Sequence, residues 1–428
     1  MLQVEQASRR LQPFILPRSW ELVLDRLEQS TTNSVSDTAI PSASVILIKG
    51  PKRSGKSTLA RTLLNRLVTR YRRVAFLECD VGQSEFTPAG MVSLHVLDTP
   101  AFGPPFTHVA KKPIVAHWTG AATARTDPAH YLACVAACVQ TYLVDIQHSF
   151  EDDEVQGEED DRIADVVPLV VNTHGWNKGL GADLTLKIQE MVSATDIVDF
   201  EPEPTDPASS TVRLHTVSPV DSSLNANYTA SDFRVLNIMS YFYGTGDGRW
   251  DTSLPLCAVP PWEVGPEALD AVVLACPGGE DVPSFELATA LNGGIVALVS
   301  AEPGALDIPD TESSTNAPPL LPYKQATASP NPLLSRCIGL GLVRYASADS
   351  IHLLTPVSPA DLAQCRVLVK GELELPVVGW LDHRAVDGRI AGVPRDGVPY
   401  LQWDAGDGVG ATRRKVRRNL MRWGQRAA

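Results

Sequence analysis

The apolar positions of this chain fall into two textures. Between residues 45 and 243, short apolar runs alternate with stretches whose apolar residues recur every three or four positions. The runs predict strands at 45–49, 74–79, 92–97, 114–118 and 166–172, and the periodic stretches predict helices at 57–70, 128–145, 179–192 and 230–243. Such alternation defines an α/β class, a mostly parallel P-loop NTPase-type sheet with helices on both faces. Ligands of such sheets gather at the carboxyl ends of the strands. After about Gly248 the helical period fades. Val/Leu-rich segments at 271–275, 295–299, 351–354 and 367–369, separated by turns, predict a smaller β-rich C-terminal domain. Three parts result. Residues 1–44 are a lead with a short helix from Trp20 to Leu27 and a polar linker from Gln29 to Asp37, 45–250 are the first domain, and 251–428 are the second. Within the second, 301–332 is rich in Pro, Ser, Thr and Ala and reads as a disordered insertion.

The first apolar run leads straight into Gly50-Pro51-Lys52-Arg53-Ser54-Gly55-Lys56-Ser57, and Thr58 follows in the next helix. The glycines let successive N–H groups point into one hollow around phosphate oxygens. Lys56 supplies a point charge for the β- and γ-phosphates, and the Ser57 hydroxyl is a Mg²⁺ ligand. The helix N-terminus adds partial positive charge. A Gly-rich surface turn would not need Lys-Ser at this spacing. The second strand ends in Glu78-Cys79-Asp80. A carboxylate there can lie near Mg²⁺ or take a proton from a hydroxyl. Glu78 shares a strand face with Asp80. Spacing leaves open which acid does which task, and a structural ion pair is the other reading of Glu78.

Asn172-Thr173-His174-Gly175-Trp176 follows another apolar strand. Trp176 either offers its face to a base or anchors the loop in the core. His174 is a candidate acid/base group, although a lone His is more often a packing or surface residue. Arg234 lies in the apolar helix that runs to Gly244. It either stabilises charge on a moving phosphoryl group or is an ordinary surface side chain. Asn177-Lys178-Gly179-Leu180 lacks the Asp that guanine-specific GTPases place after Asn-Lys-x.

The 428 residues, 44% hydrophobic and 20% charged, fit a globular chain of two to three domains. No run reaches the ~18 apolar residues of a membrane span, and charges within the first 30 residues argue against a secretory leader. Seven cysteines form no CxxC pair, which fits a reduced, intracellular setting without zinc. The net charge of −13 excludes uniform attraction to nucleic acid, but the charge is uneven. Glu151 to Asp161 is acidic and reads as a solvated loop. Arg413 to Arg426 is basic and reads as a contact for RNA or an acidic partner surface, or as a solvated helix end.

The chain resembles the polynucleotide 5′-hydroxyl kinases of RNA processing. The resemblance rests on Gly50 to Thr58, Glu78-Cys-Asp-Val-Gly-Gln83, Glu85-Phe-Thr-Pro-Ala-Gly90, Asp127 to Cys134, Asn172 to Trp176, Met239 to Phe242, Gly339 to Arg344 and Val369 to Pro376. Gly103-Pro-Pro-Phe-Thr-His108 is similar to the nucleolar, ribosomal-RNA branch. It implies transfer of the γ-phosphoryl of ATP, with Mg²⁺, to the 5′-hydroxyl end of RNA. It implies that Asp80 serves metal and acceptor, that Gln83 lies near both, and that Lys56 and Arg234 hold the phosphates. Thr173, Gly175 and Trp176 become a clasp for the substrate end. The implied setting is the nucleus and nucleolus, with no membrane. The implied partner is a HEPN-type endoribonuclease that cuts the second internal transcribed spacer of pre-rRNA. Glu78 replaces the family's usual Asp, and Arg234 stands where relatives carry an Arg-x-x-x-Arg pair. About 44 residues precede the first strand, where the family carries a β-rich domain; truncation, a misassigned start or loss of that domain would each account for it. Two alternatives follow: a non-catalytic ATP-binding scaffold subunit, and a P-loop NTPase that only hydrolyses nucleotide.

Overall fold

The computed structural model describes residues 15–30, 43–108, 111–148, 160–202, 212–220, 228–246, 248–307 and 320–375, and the backbone of 389–390 and 393–394. The polar linker from 31 on, the acidic run at 151–159 and the basic tail at 413–426 lie outside the described residues.

Seven strands form the first sheet: β1 (Val45–Lys49), β2 (Val74–Glu78), β3 (Met91–Leu97), β4 (Val115–Trp118), β5 (Leu169–Asn172), β6 (Asp196–Asp199) and β7 (Arg213–Thr216). Their order is β4-β3-β2-β5-β1-β6-β7. The pairings from β2 through β7 are parallel, and β3 runs against both β2 and β4. Both faces are covered, so the central strands read as unbroken apolar runs. Ile46, Ile48, Phe76 and Val170 pack on one face with α1 (Arg18–Ser30) and α2 (Lys56–Leu67). Val45, Leu47, Leu77 and Val171 pack on the other with α3 (Pro128–Thr141) and α4 (Leu180–Met191).

The expected separate lead does not hold. Trp20, Val23, Leu24 and Leu27 of α1 are buried in the core of the first sheet. Two strands escape the sequence pattern because they are polar. In β6 the buried Asp196 meets Arg213 Nη2 at 2.7 Å and His215 Nε2 at 2.9 Å across β7. Burial opposes its charge, but hydrogen bonds from Arg213, His215 and Thr195 hold it well below the usual carboxylate range. The statement about membrane-length runs also needs correction. Helix α3 continues as a π-helical turn, and Pro128–Ile146 is long and apolar enough to cross a membrane by length and composition. In the fold, Tyr131, Cys134, Val135 and Cys138 of this segment are fully buried with the sheet's residues.

A second sheet contains β8 (Trp262–Val264), β9 (Ala271–Leu274), β10 (Ile295–Ala301), β11 (Ser335–Ala346), β12 (Ile351–Leu354) and β13 (Val367–Lys370), in the order β8-β12-β11-β10-β13-β9. Strand β11 was unexpected because Gly339 and Gly341 interrupt it. A Cβ on Gly341 would lie 2.5 Å from Leu353 Cδ1, so glycine permits that close packing. The stretch expected as a disordered insertion is partly built into the fold. Ala301 ends β10, Ala305 and Leu321 are buried, and 308–319 lies outside the described residues.

The two sheets share a core. Ile238 and Phe242 of α5 (Ala230–Tyr243) pack with Met91, Ala116 and Trp118 of the first sheet and with Val273, Ala297 and Leu340 of the second. Tyr241 Oη accepts from Leu340 N at 2.8 Å. The backbones touch as well. Glu372 N and Leu373 N donate to Gly120 O at 2.7 and 3.1 Å. A Cβ on Gly120 would lie 2.8 Å from Gly371 Cα.

Two buried histidines, His95 of β3 and His117 of β4, make the first sheet pH-sensitive. Burial lowers the His95 pKa to about 3, with the Lys111 charge adding to the shift. Burial lowers His117 to about 4, with His130 adding. Both rings are therefore neutral in the folded chain, while the unfolded chain takes up protons below about 6.5. Their contribution is complete above that pH and is lost as pH falls towards their folded values. Moving from pH 7 to pH 5 should cost about 2 kcal/mol per ring. Urea unfolding at the two pH values measures it. The loss should shrink by about 2 kcal/mol in His117→Gln; an unchanged loss would refute the assignment.

Candidate nucleotide and acceptor site

Strand order dictates where the chemistry meets. Asn172, at the end of β5, pairs in register with Ile48 of β1 on one side and Glu78 of β2 on the other. The phosphate loop, the acidic loop and the Thr-His-Gly-Trp loop therefore leave the sheet side by side, at its carboxyl edge.

The phosphate loop is held from behind. Gly55 has φ +101°, and a Cβ there would lie 2.8 Å from the Trp20 ring. Trp20 is pinned by an indole N–H bond to Ser218 O at 2.8 Å and an edge contact with Phe200. Ser54 Oγ and Lys56 Nζ donate to Pro51 O at 2.9 and 2.7 Å. Burial lowers the Lys56 pKa to about 8, against the pull of Asp80 and Glu78. Lys52 and Arg53 are exposed, and Ser57 and Thr58 are half-buried at the start of α2.

Glu78 is the hub. Its fully buried carboxylate accepts from Asp80 N at 2.8 Å, Glu85 N at 3.0 Å and Asn172 Nδ2 at 3.0 Å. Asn172 Nδ2 also lies 3.3 Å from Ser57 Oγ. Burial raises the Glu78 pKa well above the usual range, and the Asp80 charge adds to this. With its lone pairs taken, Glu78 organises the site. Asp80 is the half-buried acid, and its Oδ1 accepts from Gly82 N and Gln83 N at 2.9 and 3.2 Å. The Gln83 side chain is exposed beside it.

Behind the acidic loop, Glu85 Oε1 meets Arg61 Nη1 of α2 at 2.8 Å and His108 Nδ1 at 2.9 Å. His108 Nε2 meets Phe102 O at 2.9 Å. The Gly103-to-His108 motif thus braces the loop that carries Asp80.

The clasp residues divide. Thr173 is buried, with Oγ1 donating to Ile48 O at 2.7 Å, so its side chain fixes the loop and does not face the cleft. Gly175 allows the clasp to touch the phosphate loop, since a Cβ there would lie 2.8 Å from Lys52 Cα. Trp176 packs half-buried on the core beside Gly181. His174 Nδ1 accepts from Trp176 N at 3.4 Å, and its buried Nε2 has no protein partner. Burial lowers its pKa, and it feels the opposed charges of Asp80 and Lys56.

Arg234, on the first half of α5, is half-buried. Burial lowers its pKa, and attraction to Asp80 opposes this. Asn237, one turn on, donates Nδ2 to Ser84 O at 3.2 Å and fixes α5 against the acidic loop. Asn172, Glu85, His108 and Trp20 were missed as site residues in the sequence. Each lies in a stretch the sequence singled out, but only the fold shows which side chains turn inward.

Fold and site define a P-loop nucleotide-binding protein. Residues 50–244 match the family described as mRNA cleavage and polyadenylation factor CLP1 P-loop. The chain is similar to curated proteins named polynucleotide 5′-hydroxyl-kinase. It is 36% identical to GRC3 of Cryptococcus neoformans, over 96% of this chain and 60% of that protein. It is 29% identical to grc3 of Schizosaccharomyces pombe, over 95% of this chain and 58% of that protein. It is 27% identical to NOL9 of Arabidopsis thaliana, over 87% and 94%. The chain therefore spans about 60% of the length of the first of these relatives. A solved Clp1p in a Pcf11p complex shares the fold at 16% identity, with a TM-score of 0.52 over 83% of this chain and 80% of that one.

Replacing Glu78 tests the hub. Glu78→Ala leaves two amide N–H groups and the Asn172 carboxamide without their acceptor. It should lower the unfolding free energy by about 3 kcal/mol, whereas Glu78→Gln, which keeps one acceptor, should lose about half of that. Denaturant titration checks this, and an Ala variant as stable as the parent would contradict it.

Proposed function

We propose that this chain is an ATP-dependent polynucleotide 5′-hydroxyl kinase. It moves the γ-phosphoryl of ATP to a 5′-hydroxyl end of RNA, in processing of the second internal transcribed spacer of pre-rRNA in the nucleolus. The carrying observation is convergence: the register of β1, β5 and β2 brings the phosphate loop with Lys56, the Thr-His-Gly-Trp loop with His174 and the acidic loop with Asp80 side by side at one sheet edge. The names of the relatives support the reaction.

The oxygens present suit Mg²⁺. Ser57 Oγ and the Asp80 carboxylate are hard donors, and Asn172 Oδ1 is a buried oxygen without a partner nearby. Mg²⁺ commonly takes one or two protein oxygens, with substrate phosphates and water completing its shell. Ser57 and Asp80 would hold it, and when bound it would neutralise charge on the β- and γ-phosphates.

The residues divide the work. Loop amides from Gly50 to Thr58 cradle the phosphates, and Lys56 turns from Pro51 O to the β/γ oxygens. Asp80 accepts the proton of the 5′-hydroxyl as its oxygen bonds to the γ-phosphorus. The bond from that phosphorus to the β–γ bridging oxygen breaks, and ADP leaves. Glu78, tied up in hydrogen bonds, is not the base. Arg234 draws charge from the moving group, and Gln83 and Trp176 position the acceptor end. Such sites act by position and electrostatics. A HEPN-type endoribonuclease that leaves 5′-hydroxyl ends is the proposed partner.

Labelled γ-phosphate transfer to a 5′-hydroxyl oligonucleotide, with and without the nuclease, tests the reading. Lys56→Ala and Asp80→Asn should each lower transfer by at least roughly 10²-fold while leaving the melting temperature within a few degrees. Full transfer in Lys56→Ala would reject it. Nucleotide bound without turnover would favour a scaffold, and phosphate release independent of RNA would favour a plain hydrolase.

A further inference from the structure

A cleft of about 360 Å³ lies where the two sheets meet, away from the phosphate loop. Its walls include Thr87, Phe106, Lys111, Tyr241 and Trp250. Neither the phosphate cradle nor the clasp uses it.

The lining has a definite chemistry. Phe106 and Trp250 stand with ring centroids 6.4 Å apart, tilted by 45°. Trp250 is 43% exposed, yet its indole N–H is held by Ser240 Oγ at 2.6 Å. That bond fixes the edge of the ring and leaves the ring open to a planar group. The Thr87 hydroxyl, in a residue only 3% exposed, has no protein partner. Lys111 and Lys112 line the cleft with one acid among its described lining residues, Asp361, which pairs with Lys112 at 2.7 Å. The cleft is thus locally cationic on a chain whose net charge is −13.

Its place on α5 matters equally. Arg234 lies within electrostatic reach of Asp80, and Tyr241 lines the cleft seven residues further along the same helix. Seven residues at 1.5 Å each put the cleft about 10 Å from the Arg234 position along the axis. That is the reach of about three stacked nucleotides at ~3.4 Å each. The acidic loop leads the same way, because Asp80 lies at one end of it and Thr87 lines the cleft at the other.

We infer that this cleft binds a nucleobase and its phosphate two to three nucleotides behind the 5′-hydroxyl end of the acceptor strand. The inference rests on the kinase reading for the identity of that strand. The base stacks on Trp250 and Phe106, and Lys111 holds the adjoining phosphate. Stacking makes the subsite tolerant of sequence, since every base has a π-face.

The test uses the full chain with 5′-hydroxyl oligoribonucleotides of two and six nucleotides. Binding is read by fluorescence titration, and transfer is read separately. Trp250→Ala should weaken the six-mer by about 5- to 100-fold and leave the two-mer unchanged. Lys111→Gln removes a surface ammonium and should reduce the log–log salt slope by about 0.7. An abasic third or fourth nucleotide should erase the difference between Trp250→Ala and the parent. Equal affinity of parent and both variants for the six-mer overturns the subsite. So does loss of nuclease binding in Trp250→Ala with six-mer affinity intact, which would assign the cleft to a protein segment. If no transfer occurs but the length-dependent, abasic-sensitive binding persists, the kinase reading fails and the subsite stands.

Discussion

The buried Glu78 carboxylate is the constraint on which the site depends. A carboxylate without water is unfavourable unless donors surround it. Here the donors are the amides of Asp80 and Glu85 and the Asn172 carboxamide. Satisfying this one buried carboxyl group thereby fixes the path of the acidic loop and ties β2 to β5. Asn172 passes the constraint on to Ser57 at the start of α2. Glu78 fills this position with all its contacts made.

A second brace works from the other side of the loop. Arg61 of α2 and His108 converge on Glu85. The loop bearing Asp80 is thus held at both ends by carboxylates whose partners come from α2, β5 and the Gly103-to-His108 motif. A half-buried Asp between two fixed points needs little reorganisation to act, which is the condition for electrostatic catalysis.

Local signals were legible in proportion to how local they are. The phosphate loop, the acid-ended second strand, the Thr-His-Gly-Trp loop and the central strands stand out because composition and spacing carry them. Strands β6 and β7 do not, since Asp196, Arg213 and His215 make sense only as a cross-strand group. The structural role of Trp20 was hidden for the same reason. Its helix was readable from Trp20 and Leu27 on one stripe, but its place behind Gly55 is a long-range contact. Thr173 and Glu78 looked like site groups by position. Their hydroxyl and carboxylate turn inward, a choice set by the neighbouring strand ends and invisible in spacing.

The joint between the sheets has one more consequence. Gly120 and Gly371 meet backbone to backbone, and the C-terminal half of α5 is buried between both sheets. A clamshell opening would have to tear that seam. The first turns of α5 are the freer part: Ala230, Ser231 and Asp232 are exposed, and among the described residues the Thr229–Asp232 capping box and the Tyr228–Phe233 ring contact at 6.0 Å secure the end. Fraying of those turns, of little cost beside global unfolding, would swing Arg234 aside while the anchored half keeps its bearing. One end of α5 is thus a fixed post, and loosening of the helix is confined to its tip.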